Sequence, residues 1–152
     1  MILVKQVGVY VNILNCRLKK YLAEVFKKNG VNLTAEQYLV MDTLWNEGTL
    51  TQQAIAFIIQ KDKNSVTQFI DNLEKKGLVT RSVAKEDRRV NNIVVTAKGM
   101  ALKDSTKQLA INTMENAIEG IPEADLQTFV SVLKKVCSNI SDFGKNQEDL
   151  AL

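Results

Sequence analysis

The sequence predicts a mainly α-helical chain with a small β-wing: a winged helix-turn-helix set between terminal helices that form a dimerisation region. Three observations predict it. Two short amphipathic stretches, Gln52 to Gln60 and Lys63 to Gly77, follow one another across a tight turn. Two β-prone runs come next, Leu78 to Val83 and Asn92 to Thr96, on either side of a charged loop. Long apolar-striped stretches lie at both ends of the chain. Paired short helices, then a hairpin with a basic tip, make a winged helix rather than a plain helical hairpin.

Taken in order, Val4 to Lys28 reads as one long helix. Val4, Val7, Val11, Leu14, Leu18 and Val25 keep a three/four spacing, with Tyr21 filling the gap. Val9, Ile13, Cys16 and Phe26 form a second stripe off that seam. A helix apolar on more than one side needs cover on more than one side, and a second copy of the chain supplies it. Gly8 costs about 1 kcal/mol inside a helix, so the helix should fray there or meet another backbone. Asn29-Gly30 ends the helix. Thr34-Ala35-Glu36-Gln37 is a capping box, and Tyr38, Leu39, Met41, Leu44 and Trp45 give a short amphipathic helix with Trp45 in the core. Gly48-Thr49-Leu50 makes a turn with a short extended residue or two. Thr51 caps the helix from Gln52 to Gln60. Asp62 caps the next one, and Gly77 supplies the left-handed residue that ends it. Its apolar face is Val66, Phe69, Ile70 and Leu73. Thr96 caps a long helix from Ala97 to about Glu119. Gly120-Ile121-Pro122 breaks it, and Leu126, Phe129, Val130, Leu133, Val136, Cys137, Ile140 and Phe143 stripe the last helix. Gly144 to Leu152 reads as a frayed tail.

Composition narrows the function. The chain has 152 residues, 45% of them hydrophobic, which is one domain's length with enough apolar mass for a core. No run of 18 apolar residues occurs, so no membrane span is expected. The start lacks a signal peptide's charged region and cleavage site, which points to a cytoplasmic location. Cys16 and Cys137 are too few for a disulfide framework, and each reads as a buried apolar residue. There is no histidine. Without the commonest general base and transition-metal ligand, an enzyme or metal sensor is disfavoured, and no cofactor is expected. Charge is uneven. Residues 49–99 carry nine cations against five acids, whereas residues 100–152 carry five against eight. A basic centre with an acidic end suits a nucleic-acid reader with partner-facing flanks.

The helix from Lys63 presents Lys63, Asn64, Ser65, Thr67 and Gln68 opposite its apolar stripe. Short donors and acceptors near a helix N-terminus reach the floor of the major groove, where Asn and Gln pair with adenine and Ser and Thr reach base or phosphate. Thr51, Gln52 and Gln53 lie at another helix N-terminus, where free N–H groups favour phosphate.

Leu73-Glu74-Lys75-Lys76-Gly77-Leu78-Val79-Thr80-Arg81, Glu86-Asp87-Arg88-Arg89 and Val95-Thr96-Ala97-Lys98-Gly99 carry a resemblance. Together they resemble the signature of the MarR family of bacterial transcriptional regulators over roughly Leu33 to Leu102. The resemblance implies one MarR-like domain over 1–152, with a winged helix-turn-helix at about 33–99 and dimerisation helices at about 4–29 and 97–143. It implies a repressor that binds double-stranded palindromic DNA as a homodimer. It places Arg89 in the minor groove, oriented by Asp87, with Arg88 on the DNA backbone and Arg81 on a phosphate. It further implies release by a small aromatic or lipophilic effector, in a pocket drawing on Tyr10, Leu14, Tyr38, Met41 and Trp45. A peroxide-sensing branch of the family carries its cysteine near the position of Tyr10, not Cys16. A winged helix that binds protein instead of DNA would carry an apolar patch at Asn64 to Gln68, where this chain is polar.

Overall fold

The computed structural model describes residues 2–83, 86, 87 and 89–141. Contacts divide the chain into two compact units, 1–117 and 118–152.

The first unit opens with α1 (Leu3–Lys28), which runs through Gly8 without a break. The helix does not fray there, and a side chain at Gly8 would meet nothing within 4 Å among the described residues of this chain. Asn29 ends α1 by donating from its amide side chain to the Val25 carbonyl at 2.8 Å. The Val31 N–H then reaches the Phe26 carbonyl at 2.9 Å. Phe26 is fully buried and meets the Tyr38 ring edge-on at 5.4 Å. This anchors the C-terminal end of α1 to α2 (Ala35–Glu47). The capping box of α2 is complete: Gln37 N–H donates to Thr34 Oγ1 at 3.1 Å, and Thr34 N–H to Gln37 Oε1 at 3.2 Å.

A two-residue strand, β1 (Leu50–Thr51), leads into α3 (Gln52–Ile59), capped by Thr51 Oγ1 on Ala54 N–H at 3.1 Å. Gln60 adopts a left-handed φ of 56° and turns the chain into α4 (Lys63–Lys75). Asp62 caps α4, accepting Ser65 N–H at 2.8 Å. Val66, Ile70 and Leu73 are fully buried and Phe69 packs against them, as the spacing predicts. Gly77, at φ +74°, lets the Leu78 N–H return to the Leu73 carbonyl at 3.0 Å. Then β2 (Val79–Val83) pairs antiparallel with β3 (Asn91–Val95), Arg81 opposite Ile93. The extended residues at Leu50 also join: β1 pairs with β3, giving a three-stranded sheet of order β1-β3-β2. The sheet closes one side of a core built by α1, α2, α3 and α4.

The helix expected from Ala97 to Glu119 is two helices, α5 (Ala97–Ala101) and α6 (Lys103–Ala117). The cause is the Gly99 carbonyl. In an unbroken helix it would accept the Lys103 N–H. Here it accepts the Trp45 indole N–H at 3.2 Å and the Leu102 N–H at 3.3 Å. Trp45 itself is 6% exposed and part of the core. Gly99 is there because nothing larger fits: a Cβ would overlap the Leu78 carbonyl oxygen and press on Val95 Cγ1. Past the break, α6 packs along α1 and α2.

The second unit holds α7 (Glu123–Ile140), which begins after Pro122 and places Glu123 and Asp125 in its first turn, the favourable sign for that end. Phe129, Val130, Val136 and Ile140 of its apolar stripe are exposed in the single chain. Cys16 and Cys137 are exposed as well, against the expectation that both are buried. They sit on α1 and α7 among apolar side chains that this one chain leaves open. Phe143 and the 144–152 tail lie outside the described residues. Among the described residues, no helix is long and apolar enough to cross a membrane.

Candidate nucleic-acid interface

The residues expected to read bases fall into two groups. Lys63, Asn64 and Gln68 are exposed along α4. Ser65 and Thr67 are half-buried and already employed. The Ser65 hydroxyl donates to Asp62 Oδ2 at 2.7 Å and completes the cap. Together the Ser65 N–H and hydroxyl hold the Asp62 carboxyl below the usual carboxylate range. Thr67 donates to the Lys63 carbonyl at 2.9 Å and accepts Gln52 Nε2 at 2.7 Å. Gln52 and Thr67 therefore brace the start of α3 against α4, fixing the angle between the two helices of the motif. Thr51 spends its side-chain oxygen as the α3 cap. Gln53 is exposed on the first turn of α3.

Arg81 lies differently from a free phosphate contact. Its guanidinium binds Asp71 Oδ1 at 2.6 Å and Glu74 Oε1 at 3.0 Å, and its own N–H donates to Glu74 Oε2 at 3.1 Å. The side chain is 21% exposed. Two carboxylates at these distances make it a strut between β2 and α4, and an incoming phosphate would compete with both. Asp71 and Glu74 are the partners that sequence reading passed over. Their signal was their spacing, i and i+3, which puts both on one side of α4.

At the wing, Asp87 accepts three hydrogen bonds from Arg89: from its backbone N–H at 2.9 Å, from Nε at 3.2 Å and from a terminal nitrogen at 3.2 Å. The Arg89 side chain remains 91% exposed. The guanidinium is thus aimed but not covered. Arg89 beside it holds the Asp87 carboxyl below its ordinary value. Arg88 lies outside the described residues.

A cavity of about 400 Å³ opens between α1, α2 and α6, lined by Leu22, Tyr38, Leu39, Ile111, Met114 and their neighbours. Of the five residues expected to form an effector pocket, Tyr38 lines it and four do not. Met41 and Trp45 point into the core, which consumes their apolar surface. Tyr10 and Leu14 lie further toward the N-terminal end of α1, where both are exposed. The rest of the lining comes from the later part of α1, from α2 and from α6, whose packing along α1 follows from long-range contacts rather than from any local pattern. Burial, with Asp42 beside it, pushes the Tyr38 hydroxyl up to about 12.

The MarR family profile matches residues 33–90, the stretch from the start of α2 through the wing. Over that stretch the chain is similar to the MarR family. The HTH-type transcriptional regulator MhqR of Bacillus subtilis is 28% identical over 116 residues, covering 76% of this chain and 79% of its own. A cysteine-to-serine mutant of MarR from E. coli, complexed with operator DNA, superposes with a TM-score of 0.79 at 21% identity, over 90% of this chain and 99% of that one. BpsR of Bordetella bronchiseptica, a regulator whose DNA binding is controlled by 6-hydroxynicotinic acid, gives 0.80 at 22% identity, over 90% and 96%. The fold is that of MarR-family winged helices.

Proposed function

We propose that this chain is a MarR-family regulator, a cytoplasmic homodimeric repressor that reads a palindromic operator and leaves it when a small molecule binds. It performs no catalysis and needs no cofactor. The observation that carries the reading is the pairing of two exposed tools on braced supports. Lys63, Asn64 and Gln68 stand free on a helix whose neighbours Thr67 and Gln52 lock its angle. Arg89 stands exposed on a wing whose Asp87 fixes its direction. The first set reaches base edges in the major groove; the second suits the narrow, negative minor groove. Thr51, Gln52 and Gln53 approach the phosphates at the α3 N-terminus, and Arg88 adds a cation beside Arg89. Arg81 acts through Asp71 and Glu74 by holding the wing strand against the reading helix.

The dimer reading rests on apolar side chains that the single chain leaves exposed, among them Val4, Val7 and Tyr10 of α1 and Phe129 and Val130 of α7. On it, the winged helix-turn-helix of about 33–99 and the helices of about 4–29 and 97–143 work as one MarR-like domain. The ligand reading rests on the α1–α2–α6 cavity, together with the control of BpsR by 6-hydroxynicotinic acid and the CouR structure with p-coumaroyl-CoA. Electrophoretic mobility shift against the DNA upstream of the protein's own gene tests the core of this reading. A discrete complex that survives excess random DNA is expected. Equal competition by specific and random DNA contradicts it.

A further inference from the structure

Helix α1 carries six of the chain's 20 cations and a single acid, Glu24. One side of it changes character along its length. Val9, Ile13 and Cys16 hold that side in the N-terminal half, and past Cys16 it turns to Arg17, Lys20, Lys27 and Lys28. At helical spacing these four share about a third of the circumference, with Glu24 among them. All five side chains are exposed. Among the described residues, none of the four cations has a carboxylate at ion-pair distance. Lys27 and Lys28 suit the last turn of a helix, but Arg17 and Lys20 lie outside that turn and gain nothing from its dipole. The strip runs on beyond α1. Lys27 and Lys76 line one cavity of about 430 Å³ that has no acid in its lining. Lys76 is the C-cap of α4, and its ammonium donates to the Asn32 carbonyl at 2.9 Å and to Gln37 Oε1 at 2.7 Å. Both acceptors are neutral, so its charge is not cancelled.

We propose that this basic strip of α1 holds the phosphate backbone of duplex DNA beside the operator. The inference rests on the DNA-reading proposal above and extends its footprint beyond α4 and the wing. A row of cations with one acid among them makes a positive field that attracts a polyanion. A second subunit is the wrong cover for it: interface cores are depleted of charge, and the apolar part of this side of the helix stops at Cys16. Arg17 and Lys28 stand about 16 Å apart along the axis at 1.5 Å per residue. Duplex DNA carries a negative charge every ~1.7 Å of its own axis, so the strip can meet several phosphates at once. Lys76 puts the near end of the strip on the reading helix itself. That continuity favours the duplex seated on α4 over any other polyanion. Contacts of this kind carry no sequence information; they add affinity and salt dependence.

The test uses the full-length protein and two duplexes from the DNA upstream of its own gene. One has about 20 base pairs, room for two half-sites one helical turn apart, and the other about 50 with the same centre. Fluorescence anisotropy is read over a salt series. Wild type should hold the longer duplex about tenfold or more tightly at low salt. Its log–log slope should be steeper there by up to about five units, for three lysines on each of two subunits. The triple variant Lys20→Gln, Lys27→Gln, Lys28→Gln should lose that gain and bind the shorter duplex as wild type does, which also shows that it is folded. Lys20→Arg, Lys27→Arg, Lys28→Arg should keep the gain, because charge carries it. The proposal is overturned if wild type binds both lengths alike, if the gain survives the glutamine variant, or if that variant weakens equally on both lengths. No length gain, together with binding to phosphatidylserine vesicles that the glutamine variant loses, gives the strip to a membrane surface and overturns it too. If wild type prefers the shorter duplex over random DNA but gains nothing from length, the strip alone fails. If it prefers neither duplex over random DNA, the DNA-reading proposal fails and the strip with it.

Discussion

On the proposed reading, Arg89 and Asn64 divide the reading of DNA between charge and pattern, and their variants should fail in different ways. Arg89→Ala removes one cation per subunit, so the log–log salt slope of binding should fall by up to about two units across a dimer. Preference for narrow A-tract grooves should weaken with it. Asn64→Ala should cost roughly 1–3 kcal/mol per direct base contact and relax sequence choice, leaving the salt slope nearly unchanged. Fluorescence anisotropy titrations over a salt series separate the two. Asp87 reports on the wing from the other side. Its folded value is depressed by Arg89, so the order it lends the turn is present above the unfolded carboxyl value and is lost as pH falls through the folded one. In a carboxyl NMR titration, Arg89→Ala should return Asp87 toward the ordinary range; an unmoved titration would mean the pair does not exist in solution. At this scale the sequence read well where a role depends on near neighbours. Asp87 and Arg89 are two residues apart, and their ion pair was expected. The ion pairs of Arg81 were not legible, because its partners, Asp71 and Glu74, reach it from another element.

Among elements, the caps were legible for the same reason. Thr34, Thr51, Asp62 and Thr96 each bond an N–H three residues on, a spacing visible in any linear reading. Thr34→Ala should therefore cost about 1 kcal/mol in denaturant unfolding, with an unchanged m-value. The break between α5 and α6 was not legible. It depends on Trp45 reaching a carbonyl 54 residues away, and neither residue announces the other. Gly99 marks the crossing of helix, strand and turn. Gly99→Ala should destabilise by about 1–3 kcal/mol through overpacking against the Leu78 carbonyl and Val95. A fully neutral substitution would show that the close approach is not held in solution. The lining of the α1–α2–α6 cavity was legible only in part, for the same reason. Tyr38 was named from its own helix, whereas Ile111 and Met114 enter only because α6 folds back along α1.

For the molecule as a whole, the misjudged cysteines carry the lesson. Cys16 and Cys137 read as core because apolar stripes surround them, yet a stripe records that burial is needed, not which chain supplies it. The homodimer reading follows from those open stripes, and sedimentation equilibrium at micromolar concentration should show two chains. A monomer alone would remove the dimer and the palindrome together. Release by a ligand rather than by peroxide predicts that stoichiometric peroxide leaves operator binding intact, in wild type and in Cys16→Ser alike. Peroxide release abolished by Cys16→Ser would reverse that reading. The central claim, that α4 and the wing read DNA sequence, is tested most directly by measuring the affinity of wild type, Asn64→Ala and Arg89→Ala for operator and for random DNA of equal length. The account predicts that wild type favours operator by about a thousandfold or more, that Asn64→Ala shrinks that ratio, and that Arg89→Ala weakens both affinities and flattens their salt dependence. Both variants binding operator and random DNA as wild type does, with the fold intact by circular dichroism, would contradict it.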